Sequence, residues 1–149
     1  MSSIYPSISQ LKRKPRKVTW EYVAGLFDGE GCLSLKTTNR QVNTTPVVYF
    51  QIFQKNRRGL DRVEKFFAGF GVTVHYGPHA IQTAKRGDIL FILANIIPHL
   101  EMKREIAIDF YRYLLGIEKL MEKHGKFYRQ VTTHPELPLT ARQREGHTQ

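Results

Sequence analysis

Apolar residues along this chain recur with two periods, and the switches between them mark its elements. Thr19 is a good N-cap, Trp20 and Glu21 open a helix, and Tyr22-Val23-Ala24-Gly25-Leu26-Phe27 carries it into Asp28-Gly29-Glu30-Gly31. The period then drops to two. Over residues 32–38, Leu33 and Leu35 point one way while Ser34, Lys36 and Thr38 point the other. A polar loop, residues 39–46, leads to a second strand at 47–54. Its Val48, Phe50 and Ile52 share one face, and Tyr49 and Gln51 share the other. Asn56 can cap a helix striped by Leu60, Val63, Phe66, Phe67 and Phe70 and ended by Gly69 and Gly71. Residues 72–76, a turn at Gly77-Pro78, and residues 88–93 read as a second hairpin, with Lys85 and Arg86 in the loop 82–87. Pro98 stands near the start of a last helix whose stripe is Met102, Ile106, Phe110, Tyr113, Leu114, Ile117 and Met121; these are core residues. The order is α-β-β-α-β-β-α. It predicts an α+β domain with helices on one face of an antiparallel sheet.

Composition narrows the partner. The 149 residues suit one domain with a real core, and 23 Lys+Arg against 13 Asp+Glu leave a net charge of +10, which points to a polyanion. No apolar run approaches the roughly 18 residues of a membrane span, and Met1-Ser2-Ser3 starts no signal peptide, so an intracellular protein is expected. Cys32 is alone, which excludes a disulfide framework. His75 and His79 have a ligand-like spacing but lack partner ligands and straddle the Gly77-Pro78 turn, so no structural zinc is expected. Residues 1–18 read as a basic N-terminal arm, in which Lys12, Arg13, Lys14, Arg16 and Lys17 surround Pro15 and suit phosphates. Residues 19–121 form the domain, and 122–149 a basic C-terminal tail with Pro135 and Pro138.

The first helix carries the chemistry. Gly25 and Gly29 lie one turn apart and leave one face almost bare, so a second helix backbone can come close. Glu30 follows at the helix C-terminus, where the dipole repels a carboxylate and loose carbonyls gather. A cation there relieves both problems.

Residues 23–31, V-A-G-L-F-D-G-E-G, resemble the LAGLIDADG motif of homing endonucleases. Ala24, Gly25, Leu26, Asp28 and Gly31 match it outright, and Val23 and Phe27 keep its apolar character. Glu30 departs from it, standing where the family has its metal-binding aspartate. It remains a hard oxygen ligand with one more methylene, so Mg²⁺ binding is still expected, and the longer arm bears on where the metal is placed. The resemblance covers roughly residues 20–118. It implies an αββαββα homing-endonuclease-like domain whose sheet forms a DNA-binding saddle. A single motif copy implies a homodimer, packed through Ala24, Gly25, Asp28 and Gly29, with two Glu30 carboxylates side by side. Two like charges that close need cations between them. Further family positions fall on Gln54, closing the second strand, on Arg58 four residues later, and on Lys103 after Pro98. The implied roles are water positioning for Gln54 and charge stabilisation at the phosphorane for Arg58 and Lys103, with the Gly29 carbonyl joining Glu30 at the metal.

A two-stranded ribbon fits the major groove, and Lys, Arg, Asn and Gln can read base edges there. The base-reading candidates are Lys36, Thr38, Arg40, Tyr49 and Gln51, with Asp88 from the second hairpin. The function expected is a Mg²⁺-dependent, site-specific double-strand endonuclease acting on a long pseudo-palindromic site and leaving short 3′ overhangs. Mn²⁺ could replace Mg²⁺, and Ca²⁺ would occupy the site in a non-cleaving complex. One rival is a non-cleaving binder on the same scaffold, an intron-RNA maturase or a DNA-binding regulator. A second rival is a generic basic RNA-associated protein, which predicts a monomer with sequence-indifferent, salt-sensitive binding.

Overall fold

The computed structural model describes residues 4–11, 17–36 and 47–124. The arm's cluster at 12–16, the loop with Thr38 and Arg40, and the tail from 125 lie outside the described residues.

Helix α1, Trp20–Glu30, starts as its cap predicts: the Tyr22 amide donates to Thr19 Oγ1 at 3.1 Å. It passes directly into β1, Gly31–Lys36, which pairs antiparallel with β2, Val47–Phe53. Helix α2, Arg57–Ala68, is capped by Asn56, whose Oδ1 accepts from the Arg58 amide at 3.0 Å, and it closes through Gly71 at φ 79°. That left-handed φ is what a glycine supplies there. Then come β3, His75–Tyr76, and β4, Ala80–Thr83. Helix α3, Arg86–Ile96, a 3-10 turn at Ile97–His99, and helix α4, Arg104–His124, follow to the end of the described residues. The four strands form one antiparallel sheet in the order β1-β2-β4-β3.

The core lies between one face of this sheet and the helices. Leu33, Val48, Phe50, Ile52 and Ile81 from the strands meet Val23, Phe27, Leu60, Val63, Phe67 and the inner residues of α3 and α4. Phe27 of α1 stacks on Phe50 of β2 with ring centroids 5.0 Å apart and planes within 6°.

The second half corrects the sequence reading at three places. Residues 88–93 are helical, since Ile89, Ile92, Leu93 and Ile96 are all buried at helical spacing. The returning strand is β4, taken from residues placed before or within the loop 82–87. The last helix begins at Arg104, leaving Pro98 in the 3-10 turn and Met102 75% exposed rather than in the core stripe. Phe110, Tyr113, Leu114 and Ile117 are buried as the stripe predicts.

Candidate nucleic-acid interface and catalytic site

Helix α1 sorts its motif residues by face. Val23, Ala24 and Phe27 are buried in the chain's own core, whereas Gly25, Gly29 and Glu30 are exposed. Ala24 therefore belongs to the core and not to the bare face expected to meet a second copy. A Cβ built at Gly25 or at Gly29 meets nothing within 4 Å, so neither glycine is demanded by packing inside this chain. Gly31 is the opposite case: a Cβ there would lie 2.1 Å from the Phe27 ring, which fixes glycine at the junction of α1 and β1. Beside Gly25, a groove is walled by Glu21 and Asp28 on one side and residues 98–102 on the other.

Asp28 is half-buried and bonded within its own chain. Its carboxylate accepts from the backbone amides of Glu101 at 2.8 Å and Lys103 at 3.0 Å, tying the entry of α4 to the end of α1. Lys103 then reaches back. Its Nζ donates to the Gly31 carbonyl at 2.6 Å and to the Phe27 carbonyl at 3.3 Å. Lys103 thus answers the loose carbonyls at the α1 C-terminus but not the Glu30 carboxylate.

Glu30 has no hydrogen-bond or ion-pair partner among the described residues. Its place at the sheet end follows from continuity: the next residue, Gly31, opens β1 opposite Ile52, two residues before Gln54. Gln54 is half-buried, and its backbone N–H donates to the His79 carbonyl at 2.8 Å. With Arg58 it lines one depression, completed by Tyr22, Asn56, Gly59 and Arg62. Glu30 and Lys103 lie outside that lining, at the α1–β1 junction. Arg57 faces elsewhere, over the Tyr76 ring at 4.7 Å and 3.9 Å from Asp61. Sequence reading missed Arg62, although it follows Arg58 by one helical turn and shares its face.

The sheet face away from the helices carries Lys36, Tyr49 and Gln51, as expected. Lys36 Nζ sits 4.7 Å over the Tyr49 ring, and Gln51 Nε2 donates to Gln82 Oε1 at 2.8 Å. Asp88 is not on this face. It lies in the first turn of α3, with one carboxylate oxygen buried, because its segment is helical. Gln82 and His75 join the face instead, in one cross-strand row with Gln51 and Cys32. The signal for Gln82 was present in Ile81 and Thr83, which alternate inward on either side of it.

No protein-family model matches the chain, and no curated protein matches it in sequence. Solved structures do match in shape. The homing endonuclease I-TnaI superposes with a TM-score of 0.56 at 23% identity, over 76% of this chain and 78% of that one. The homing endonuclease I-CvuI, solved on a DNA target, gives 0.56 at 17% identity over 80% and 87%. The LAGLIDADG meganuclease I-AabMI, bound to uncleaved DNA, gives 0.51 at 18% identity over 72% of this chain and 38% of that one. The chain has the LAGLIDADG homing-endonuclease fold. Glu30 and Lys103 lie at the α1–β1 junction, and Gln54 follows the end of β2 that pairs with the start of β1.

Among the described residues no three His, Cys, Asp or Glu side chains could together hold a metal, and no helix is long and apolar enough to cross a membrane. The donors at the α1 C-terminus are nonetheless of the right kind for a hard cation: an exposed carboxylate without a partner, next to terminal helix carbonyls.

Proposed function

We propose that the chain is a homing endonuclease of the LAGLIDADG type, which cuts both strands of DNA at one long site as a homodimer. The observation that carries this reading is Glu30, an exposed, unpartnered carboxylate at the end of a helix whose adjoining Gly25/Gly29 face is open. Two such helices packed at those glycines bring two Glu30 carboxylates together. The coverage of the structural neighbours supports a repeated unit, since the chain spans 87% of I-CvuI but 38% of I-AabMI. Two-fold symmetry then makes the target pseudo-palindromic, one half per subunit.

Glu30 and the Gly29 carbonyl are the residues that would hold Mg²⁺, with phosphate oxygens and the second copy completing the set. I-CvuI has been solved on DNA with magnesium and with calcium, which supports a divalent metal here. A bound divalent ion supplies Lewis-acid help to the attacking water and the leaving oxygen. The rest falls to side chains. Gln54 orients the attacking water with its amide. Arg58 neutralises charge growing on the phosphorane, and Lys103, with one of its three ammonium hydrogens beyond the Phe27 and Gly31 bonds, does the same from the α1 side. Lys36, Tyr49 and Gln51 face the bases, and the strongly basic chain supplies attraction to phosphates. Such an enzyme leaves short 3′ overhangs and works inside the cell, on a site that an intron carrying its gene could occupy.

Binding and cutting are separated by metal. Duplexes selected from a random library by the full chain in Ca²⁺ should converge on one sequence of two inverted halves, and exchange into Mg²⁺ should cut them. Convergence without cutting in Mg²⁺ or Mn²⁺ assigns the scaffold to a non-cleaving DNA-binding role. No convergence, with RNA retained equally well, removes the reading.

A further inference from the structure

Gln51 and Gln82 stand opposite each other on β2 and β4, both half-buried on the outer sheet face, and their amides are joined at 2.8 Å. Directly opposed residues of an antiparallel pair share a face, so this contact lies on the surface that the endonuclease reading turns toward DNA. We propose that Gln82 is a positioning residue that pins the Gln51 amide for reading adenine, so that the two glutamines recognise one base pair as a unit.

The inventory of donors and acceptors supports it. A glutamine amide has two N–H donors and a carbonyl with two lone pairs. The bond to Gln82 uses one Nε2 hydrogen of Gln51 and leaves its other hydrogen and the whole of its Oε1. That remaining pair, one donor beside one acceptor, matches the N7 acceptor and N6 amino group of adenine in the major groove. Guanine offers two acceptors at the same places, and the carbonyl of Gln51 would face one of them. An unpinned amide can turn its NH₂ toward guanine instead. While Gln82 accepts, as it does here, the Gln51 NH₂ is held toward β4, that option is closed and the side chain is fixed before DNA arrives. Gln82 is well placed to hold still, because β4 lies between β2 and β3 in the sheet.

The inference rests on the DNA-facing role of the sheet, and one experiment separates the two. Half-site preferences are measured by selection from randomised duplexes in Ca²⁺, with the full-length protein and with Gln51→Ala, Gln82→Ala, the double variant and Gln82→Glu. The expected profile has adenine favoured at one position of each half-site. Each single alanine variant should flatten that same position by about tenfold, and the double variant should flatten it no further. Gln82→Glu keeps an acceptor for Gln51 Nε2, so it should retain the adenine preference while binding more weakly overall. The proposal is overturned if Gln82→Ala leaves the preference intact, if it flattens a different position, or if the unaltered protein is selective without an adenine position. Absence of any sequence selectivity in the unaltered protein removes the DNA reading itself.

Discussion

The ammonium of Lys103 is bonded to the carbonyl of Gly31 at 2.6 Å, across the junction where α1 becomes β1. The same group reaches the Phe27 carbonyl, while Asp28 holds the Lys103 amide from the other side. The motif helix and the entry to α4 are thus clasped by reciprocal polar contacts. One lysine closes the end of α1 and, on the endonuclease reading, stands ready beside the reacting phosphate.

Replacing Lys103 by Met removes a charge-assisted contact to two carbonyls. Stability should fall by about 1.5–3 kcal/mol in denaturant unfolding, together with a large loss of cleavage. Asp28→Ala should cost a similar amount by freeing the amides of Glu101 and Lys103. Unchanged unfolding midpoints for both variants contradict the clasp.

The three motif glycines should separate cleanly. Gly31→Ala drives a methyl into the Phe27 ring and should destabilise the fold by about 1–3 kcal/mol. Gly25→Ala and Gly29→Ala meet open space, so each should leave the folded protomer unchanged or up to about 1 kcal/mol more stable. Their cost should appear in sedimentation, as a weakened dimer. A dimer unaffected by both places the subunit contact elsewhere.

Much of this arrangement was legible in the chain. Thr19, Asn56 and the glycines after Phe67 marked the helix ends, and alternation through Leu33, Phe50 and Ile52 marked the central strands. Residues 88–93 misled because an unbroken run of Ile, Leu and Phe fits a buried strand or a buried helix equally well. Only burial of Ile89, Ile92, Leu93 and Ile96 on a common face decides for helix. That error carried Asp88 onto the wrong surface and hid Gln82, whose short strand has two inward residues. The shared depression of Gln54 and Arg58 was legible in their four-residue spacing. The Lys103 clasp was not, because its partners lie more than seventy residues away in sequence.

Glu30→Gln should separate function from fold. It removes a negative charge from a helix C-terminus, so stability should hold or rise by about 0.3–1 kcal/mol while cleavage is lost. Thermal unfolding and a plasmid-nicking assay on the same preparation check both halves.

Adjacent arginines offer a specificity control. Arg58 shares a depression with Gln54, whereas Arg57 lies on Tyr76. Arg58→Ala should lower the single-turnover cleavage rate by about 100-fold, on the scale of losing one donor to developing charge. Arg57→Ala should change it by less than about threefold, since exposed pairs contribute little. Equal losses contradict the assignment of Arg58 alone to the phosphate.

The most direct measurement is cleavage of a plasmid library carrying long random inserts, run with Mg²⁺, with EDTA and with Glu30→Gln. The expected result is linear product from inserts that share one nearly palindromic sequence, present only for the unaltered protein with Mg²⁺. Linear product that persists in EDTA, or with Glu30→Gln, contradicts a metal-dependent site at Glu30. Failure to cut any insert, while the protein still retains a defined sequence, contradicts the endonuclease itself.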